Sequence, residues 1–177
     1  MRELSLHLLD LVENAVAAGA TVVEVRIEEE PAADRLRVAV SDNGAGMAPE
    51  LAAVVEDPFV TTRRERPVGM GLALLSGAAE QAGGSLQVES APGKGTRVTA
   101  TFQFSSVDRA PLGRLEDTLA AISAVHSDLE FRLSHTGPQG SYAVLLREVA
   151  ARTPRGGMRR ELAALVSEGR AHIGSAA

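Results

Sequence analysis

Asp10 and Asn14 stand four residues apart in a segment that reads as a helix, so both side chains project from one side of it. An amide oxygen can ligate magnesium, and a nearby carboxylate can orient or deprotonate a water. A solvated polar helix face is the plainer alternative, and the helix alone does not decide between them. His7 shares this face. It suits a rim residue or a hydrogen-bond partner better than a phosphate acceptor, because Asp10 and Asn14 already occupy the face. Further on, Asp42 directly precedes Asn43-Gly44-Ala45-Gly46-Met47. A carboxylate there can accept a hydrogen bond from an exocyclic amine such as adenine offers. Gly44 and Gly46 would let backbone approach a flat base closely. The plainer reading is an ordinary tight turn. Gly69-Met70-Gly71-Leu72 opens a helix, which aims free backbone N–H groups at an anion such as phosphate, or is simply a helix start. Thr61, Thr62, Arg63, Arg64 and Arg66 lie just upstream. They can close over a terminal phosphate or form a solvated surface. Gly93-Lys94-Gly95-Thr96 follows. One glycine-rich segment is weak evidence. An acid–amide helix and three glycine boxes in fixed order describe a pocket for a nucleotide and its metal.

The elements that must position these residues follow from periodicity. Residues 3–18 form a helix with Leu4, Leu8, Leu11, Val12 and Ala15 along one side and Glu3, His7, Asp10 and Asn14 along the other, ended by Gly19. Val23, Val25 and Ile27 alternate as in a half-buried strand, and Leu36 to Val40 is a second strand after a turn at 31–34. Pro49 to Glu56 reads as a short helix and 57–68 as a lid loop. A helix at 71–82 and a strand pair around the Pro92–Gly95 turn complete residues 1–106. Residues 107–177 read as a small helix–hairpin–helix appendage: a helix at about 114–126, strands at 129–135 and 141–147, and a helix at about 158–171. The last helix is expected to dock on the first region through Leu162, Leu165 and Val166, and the tail from Gly174 is expected to fray.

Composition excludes several classes of function. The 177 residues carry a net charge of −5, which argues against a nucleic-acid footprint, and the 3% aromatic content argues against base-stacking platforms. The absence of cysteine removes disulfides and thiolate metal sites. The N-terminus lacks the uninterrupted apolar stretch of a secretory signal, and no segment approaches a membrane span. A cytoplasmic location, with no membrane and no nucleic-acid partner, is the expectation.

These motifs meet a known pattern. Residues 1–104 resemble the GHKL ATPase superfamily of gyrase, heat-shock chaperone, histidine kinase and MutL domains. Asp10 to Asn14 is similar to the N box, DNGAGM to the first glycine box, DPFVTTR to the phenylalanine box, and GMGLALL to the second glycine box. GGSLQVESAPGKGT resembles the segment leading through the last box. The last three are most similar to sensor histidine kinases, and ENAVAAGAT is similar to MutL. The whole chain also resembles, more loosely, small stand-alone ATP-binding proteins found beside iron-only hydrogenase genes, a resemblance that brings no known activity. The superfamily resemblance implies a two-layer α/β sandwich of the Bergerat type, a mixed sheet with helices on one face. It implies ATP and Mg2+ as cofactors, with Asn14 the magnesium ligand and Asp42 the adenine-reading carboxylate. Gly44 and Gly46 then flank the base, Met47 counts among the nucleotide-binding residues, and Thr96 supports the water network beside the base. Gly69 and Gly71 hold the phosphates, and Met70, Leu72 and the lid residues Thr62 and Arg63 count among the nucleotide-binding residues.

Three departures shape the functional expectation. The position four before the asparagine is glutamate in the hydrolysing branches and Asp10 here, one methylene shorter. Glu13 is the alternative base, but it sits about 100° around the helix from Asn14. The kinases usually carry a basic residue where Ala17 stands. The chain also begins thirteen residues before Asn14, leaving no room for a phosphoacceptor hairpin, so a complete self-phosphorylating kinase is not expected. The expected function is a histidine kinase-like module that acts on, or regulates, a separate protein partner. An ATP-hydrolysing switch and a non-catalytic nucleotide sensor are the alternatives.

Overall fold

The computed structural model describes residues 3–48, 70–154 and 156–176. The expected short helix at 49–56 and the lid at 57–68, with Thr62, Arg63 and Gly69, lie outside the described residues.

The chain opens with α1 (Leu4–Ala17), whose apolar positions at i, i+4, i+7, i+8 and i+11 are all buried. It stops at Gly19, where the N–H groups of Gly19 and Ala20 return to the carbonyls of Val16 and Ala15. Strand β1 (Val22–Glu30) and strand β2 (Arg35–Asp42) are joined by a 3-10 turn at Pro31–Ala33. Helix α2 (Met70–Gln81) follows, then the hairpin β3 (Ser85–Ser90) and β4 (Thr96–Gln103). The remainder is α3 (Leu115–Val125), β5 (Glu130–Gly137), β6 (Gly140–Leu145), α4 (Leu146–Arg152) and α5 (Met158–Ile173).

Six strands form one mixed sheet in the order β3-β4-β2-β1-β5-β6, with β1 and β5 parallel and every other pair antiparallel. Helices pack on one face, as the α/β-sandwich expectation requires. Val23, Val25 and Ile27 of β1, Leu36, Val38 and Val40 of β2, and Phe131 and Leu133 of β5 point into that layer. The opposite face is polar. Directly opposed Glu30–Arg35 and Glu28–Arg37 pairs across β1 and β2 bridge at 2.7 and 3.4 Å.

The region from 107 onward is built into the same layers. Strand β5 is hydrogen-bonded along β1 from Val22↔Glu130 to Glu28↔Thr136, and the apolar core runs from Leu4 to Val166 as one cluster. Its link to the first region therefore runs through β5 on β1 and α3 on α1, whereas α5 packs on α3, α4, β5 and β6. The expected docking through the last helix is corrected accordingly. Two further expectations change. The strand at 141–147 ends at Leu145, because Leu146 and Val149 are buried on one side of a short helix. The tail is also tied down rather than frayed: Ser175 Oγ and the Ala176 N–H both donate to the buried Glu29 carboxylate.

Candidate nucleotide site

The polar side of α1 meets the start of α2. A Cβ built on Gly71 would lie 3.4 Å from the Asp10 Cβ, 3.8 Å from its Oδ2 and 3.9 Å from Asn14 Nδ2. Gly71 thus keeps the space beside the carboxylate and the amide free of a side chain, at the first described turn of α2. Asp10 is exposed and Asn14 half-buried. Leu72 is partly buried against the core. His7 is buried rather than placed at a rim, since the helical layer closes over the N-terminal half of that face. Glu13 does not join the group. Its Oε1 lies 2.8 Å from His126 Nε2.

At the end of β2 the backbone turns sharply under three restraints. Asp42 Oδ1 accepts the N–H of Gly44 at 2.8 Å and that of Thr96 at 3.3 Å. Among the described residues Oδ2 makes no hydrogen bond, so one oxygen of a half-buried carboxylate stays unshared. Asn43 points the other way. Its Oδ1 accepts from the N–H groups of Thr21 and Val22, both at 2.9 Å, and its Nδ2 donates to Thr21 Oγ1. The chain then passes under the β3–β4 turn. Ala45 O accepts the Gly93 N–H at 2.7 Å, and the Met47 N–H donates to Ser90 Oγ at 2.8 Å. Ser90 Oγ in turn donates to Gly95 O and lies 2.9 Å from Thr96 Oγ1.

Two glycines are obligatory in this packing. Gly46 has φ +67° and a Cβ there would overlap the Ala91 carbonyl; Gly95 has φ +75° and a Cβ there would overlap the Asp42 carbonyl. The first and last glycine boxes are therefore interlocked halves of one structure. An open pocket of about 390 Å3 lies beside them, lined by Asp42, Ser90, Ala91, Lys94, Gly95 and Thr96 among others.

The structure thus brings Asp10, Asn14 and Gly71 together, and Asp42, Gly44, Gly46, Met47 and Thr96 together. Met70 begins α2. Ser90 carries no motif signal of its own. The available signal is its register, opposite Thr96 at the mouth of a hairpin, where a hydroxyl can reach both arms. Asn43, read only as part of the loop, is the anchor that fixes the direction of Asp42.

Residues 2–106 match the family described as histidine kinase-, DNA gyrase B-, and HSP90-like ATPases. The chain is 38% identical over 110 residues to the sensor protein kinase FleS of Pseudomonas aeruginosa, covering 62% of this chain and 26% of that protein. It is 40% identical over 96 residues to the sensor histidine kinase ZraS of Klebsiella oxytoca, covering 52% of this chain and 20% of that one. The chain thus spans about a quarter or less of the curated relatives it matches. Among solved structures, full-length ShkA in complex with AMPPNP is similar with a TM-score of 0.48 and 29% identity, over 57% of this chain and 21% of that one. With the family's ATPase region matched across more than half its length, the chain belongs to the histidine kinase-, gyrase B- and HSP90-like ATPases, as an ATP-binding, kinase-like module.

Proposed function

We propose that this module binds ATP with magnesium and acts as a kinase on, or a nucleotide-dependent regulator of, a separate protein. The observation that carries this reading is the convergence of Asp10 and Asn14 on Gly71 at the start of α2. The carboxylate supplies a hard oxygen donor of the kind magnesium prefers, and the Asn14 amide, whose Nδ2 lies nearest Gly71, supplies a second once its Oδ1 is turned to the same space. Magnesium, when bound, supplies charge neutralisation on the phosphates. Asn14 holds the metal, and Asp10 orients a water or an incoming hydroxyl. Backbone N–H groups at the start of α2 receive phosphate oxygens. At the other end, the unshared oxygen of Asp42 accepts the adenine amine, with Gly44 and Gly46 against the base and Thr96 bridging through its bond to Ser90. Gly69, Thr62 and Arg63 extend the phosphate contacts from the segment before α2.

The acceptor belongs to a partner on this reading. Of the four histidines, His7 and His135 are buried, His126 is engaged by Glu13, and the exposed His172 lies at the end of α5 with its ring beside Gly140 on β6. The names of the relatives, sensor kinases, favour a role in signal transduction, and the cytoplasm is where ATP and magnesium are abundant. A second reading, an ATP-hydrolysing switch, rests on the exposure of the Asp10 carboxylate beside Gly71, although Asp10 is one methylene shorter than the glutamate of the hydrolysing branches.

Titration calorimetry with ATP, in magnesium and in chelator, tests the binding reading. Asn14→Ala should weaken binding in magnesium far more than without it. Equal losses in both conditions would remove Asn14 as a ligand. Radiolabel transfer from ATP to a co-purifying protein supports the kinase reading, whereas steady-state phosphate release without a partner supports the switch.

A further inference from the structure

Helix α1 presents three polar side chains within little more than one turn, Asp10, Glu13 and Asn14. Only two of them face Gly71. The third, Glu13, is bound at 2.8 Å by Nε2 of His126, the residue that caps the C-terminus of α3. The two partners differ in freedom. The His126 side chain is 16% exposed, against 50% for Glu13, and the His126 N–H is fixed to the Ile122 carbonyl at 2.8 Å. Helix α3 is itself pinned to α1 independently of this contact. Thr118 Oγ1 donates to the Ser5 carbonyl at 3.1 Å in a buried bond. The N–H groups of Leu4 and Ser5, which no turn of α1 can satisfy, donate to the carbonyls of Pro111 and Leu112 at 2.9 Å. The imidazole is thus an anchor on a rigid frame, and the flexible carboxylate is what it holds.

We propose that His126 is a positioning residue of the nucleotide site. It withholds Glu13 from the face that carries Asp10 and Asn14, leaving Asp10 as the one carboxylate of α1 beside the amide. This inference rests on the magnesium-nucleotide reading above. Glu13 is adjacent in sequence to Asn14, and its long side chain samples several rotamers when nothing holds it. A second negative charge next to a triphosphate repels the bare nucleotide and is offset only when a divalent cation is bound. Releasing Glu13 should therefore widen the gap between nucleotide affinity in magnesium and in chelator.

The test uses the full chain and ATP, with Kd measured by calorimetry in magnesium and in EDTA. His126→Phe keeps a ring in the α1–α3 contact but cannot bind Glu13. It should raise the ratio of the EDTA Kd to the magnesium Kd by about fivefold, the scale of one unit charge several ångströms away in a solvated cleft. His126→Gln places an amide donor where Nε2 stands and should stay within about twofold of wild type. In a Glu13→Gln background, His126→Phe should no longer change the ratio. An unchanged ratio in His126→Phe overturns the proposal. So does a change that persists in the Glu13→Gln background, or an equal weakening in both conditions, which marks a packing defect of α3. A wild-type chain that binds no ATP in either condition would instead bring down the nucleotide reading on which the proposal stands.

Discussion

Two carboxylates sit at opposite ends of the β1–β2 hairpin and have opposite fates. Glu29 is enclosed. Its Oε1 lies 2.7 Å from His135 Nε2 and also accepts from Ser175 Oγ; its Oε2 accepts the Ala176 N–H at 2.9 Å. Neither the Glu29 nor the His135 side chain has any exposed surface. On its other side, His135 Nδ1 lies 3.2 Å from the Tyr142 hydroxyl. Asp42 is half-buried and spends only Oδ1 on its own turn. The difference is one of saturation. A carboxylate whose oxygens are both committed fixes chain segments to each other. One that keeps an oxygen free, held rigidly by backbone donors, is able to recognise a guest. The cost of burying charge is met at Glu29 by donors drawn from β5 and the C-terminal tail, so that network ties β1, β5 and the tail together.

The sharpest way to break this contrast is truncation after Ser106. It strips His135, Ser175 and Ala176 from Glu29, detaches β5 from β1 and removes the carbonyls that cap α1. The 1–106 fragment should be insoluble or lack a cooperative unfolding transition. A soluble fragment with the full-length melting temperature would show that residues 1–106 form an independent domain and that the enclosed network braces nothing.

A single substitution carries the next largest effect. Glu29→Ala leaves His135 and two tail donors facing an emptied site, and it should cost about 3–5 kcal/mol, the range for breaking a buried pair by removing one partner. Chemical denaturation measures it. The ATP affinity of the folded fraction should not change, because none of the hydrogen bonds to Glu29 comes from the candidate nucleotide site.

Acid gives a milder version of the same test. Burial by itself raises the Glu29 pKa, but hydrogen bonds from His135, Ser175 and Ala176 outweigh it and hold the group down at about 2. Because the folded value is depressed, this stabilisation is complete above the ordinary glutamate value of 4.5 and is lost as pH falls from there through about 2. The loss should be on the order of 3 kcal/mol. Denaturation series between pH 6 and pH 2 on wild type and Glu29→Gln check it. The two should converge at the acid end, and parallel curves would mean that Glu29 is not the titrating group.

The contrast between the two carboxylates also shows what the sequence discloses. Helix α1, the β1–β2 and β3–β4 hairpins and the glycine boxes were legible because their signals are local: apolar spacing at 3.6 or 2, and glycines at sharp turns. The place of Asp42 at a sharp turn was legible for the same reason, since the turn that orients it follows immediately. The role of the tail was not, because Ser175 meets a carboxylate 146 positions earlier and only the parallel β1–β5 pairing brings them together. A weak signal did exist. In β1 the inward set Val23, Val25, Ile27 continues to Glu29, and in β5 Phe131 and Leu133 continue to His135. An acid and a histidine in the core phase of two strands suggest that each needs a partner. Helix α4 leaves no periodic signature, because seven residues hold too few turns for one to show. The His126–Glu13 contact is likewise invisible in sequence, joining residues 113 apart.

Asp42→Asn should give the smallest change in stability and the mirror image of Glu29→Ala. Asparagine keeps an acceptor in the place of Oδ1, so the Gly44 and Thr96 N–H groups remain satisfied and the turn survives. Unfolding free energy should move by less than about 0.5 kcal/mol, as for a polar exchange that strands no buried group. What changes is the outer atom, where an acceptor becomes an NH2 donor. Set against an exocyclic amine, which is also a donor, it offers no bond and leaves the amine unpaired. ATP affinity should therefore fall by about 1–3 kcal/mol, and preference for adenine over guanine nucleotides should fall with it, because the guanine six-position presents an acceptor to the new donor. Calorimetry with ATP and GTP on the same preparation reads both effects. Unchanged ATP affinity would remove Asp42 from base recognition, and a loss of stability as large as that of Glu29→Ala would mean that the two carboxylates do the same job.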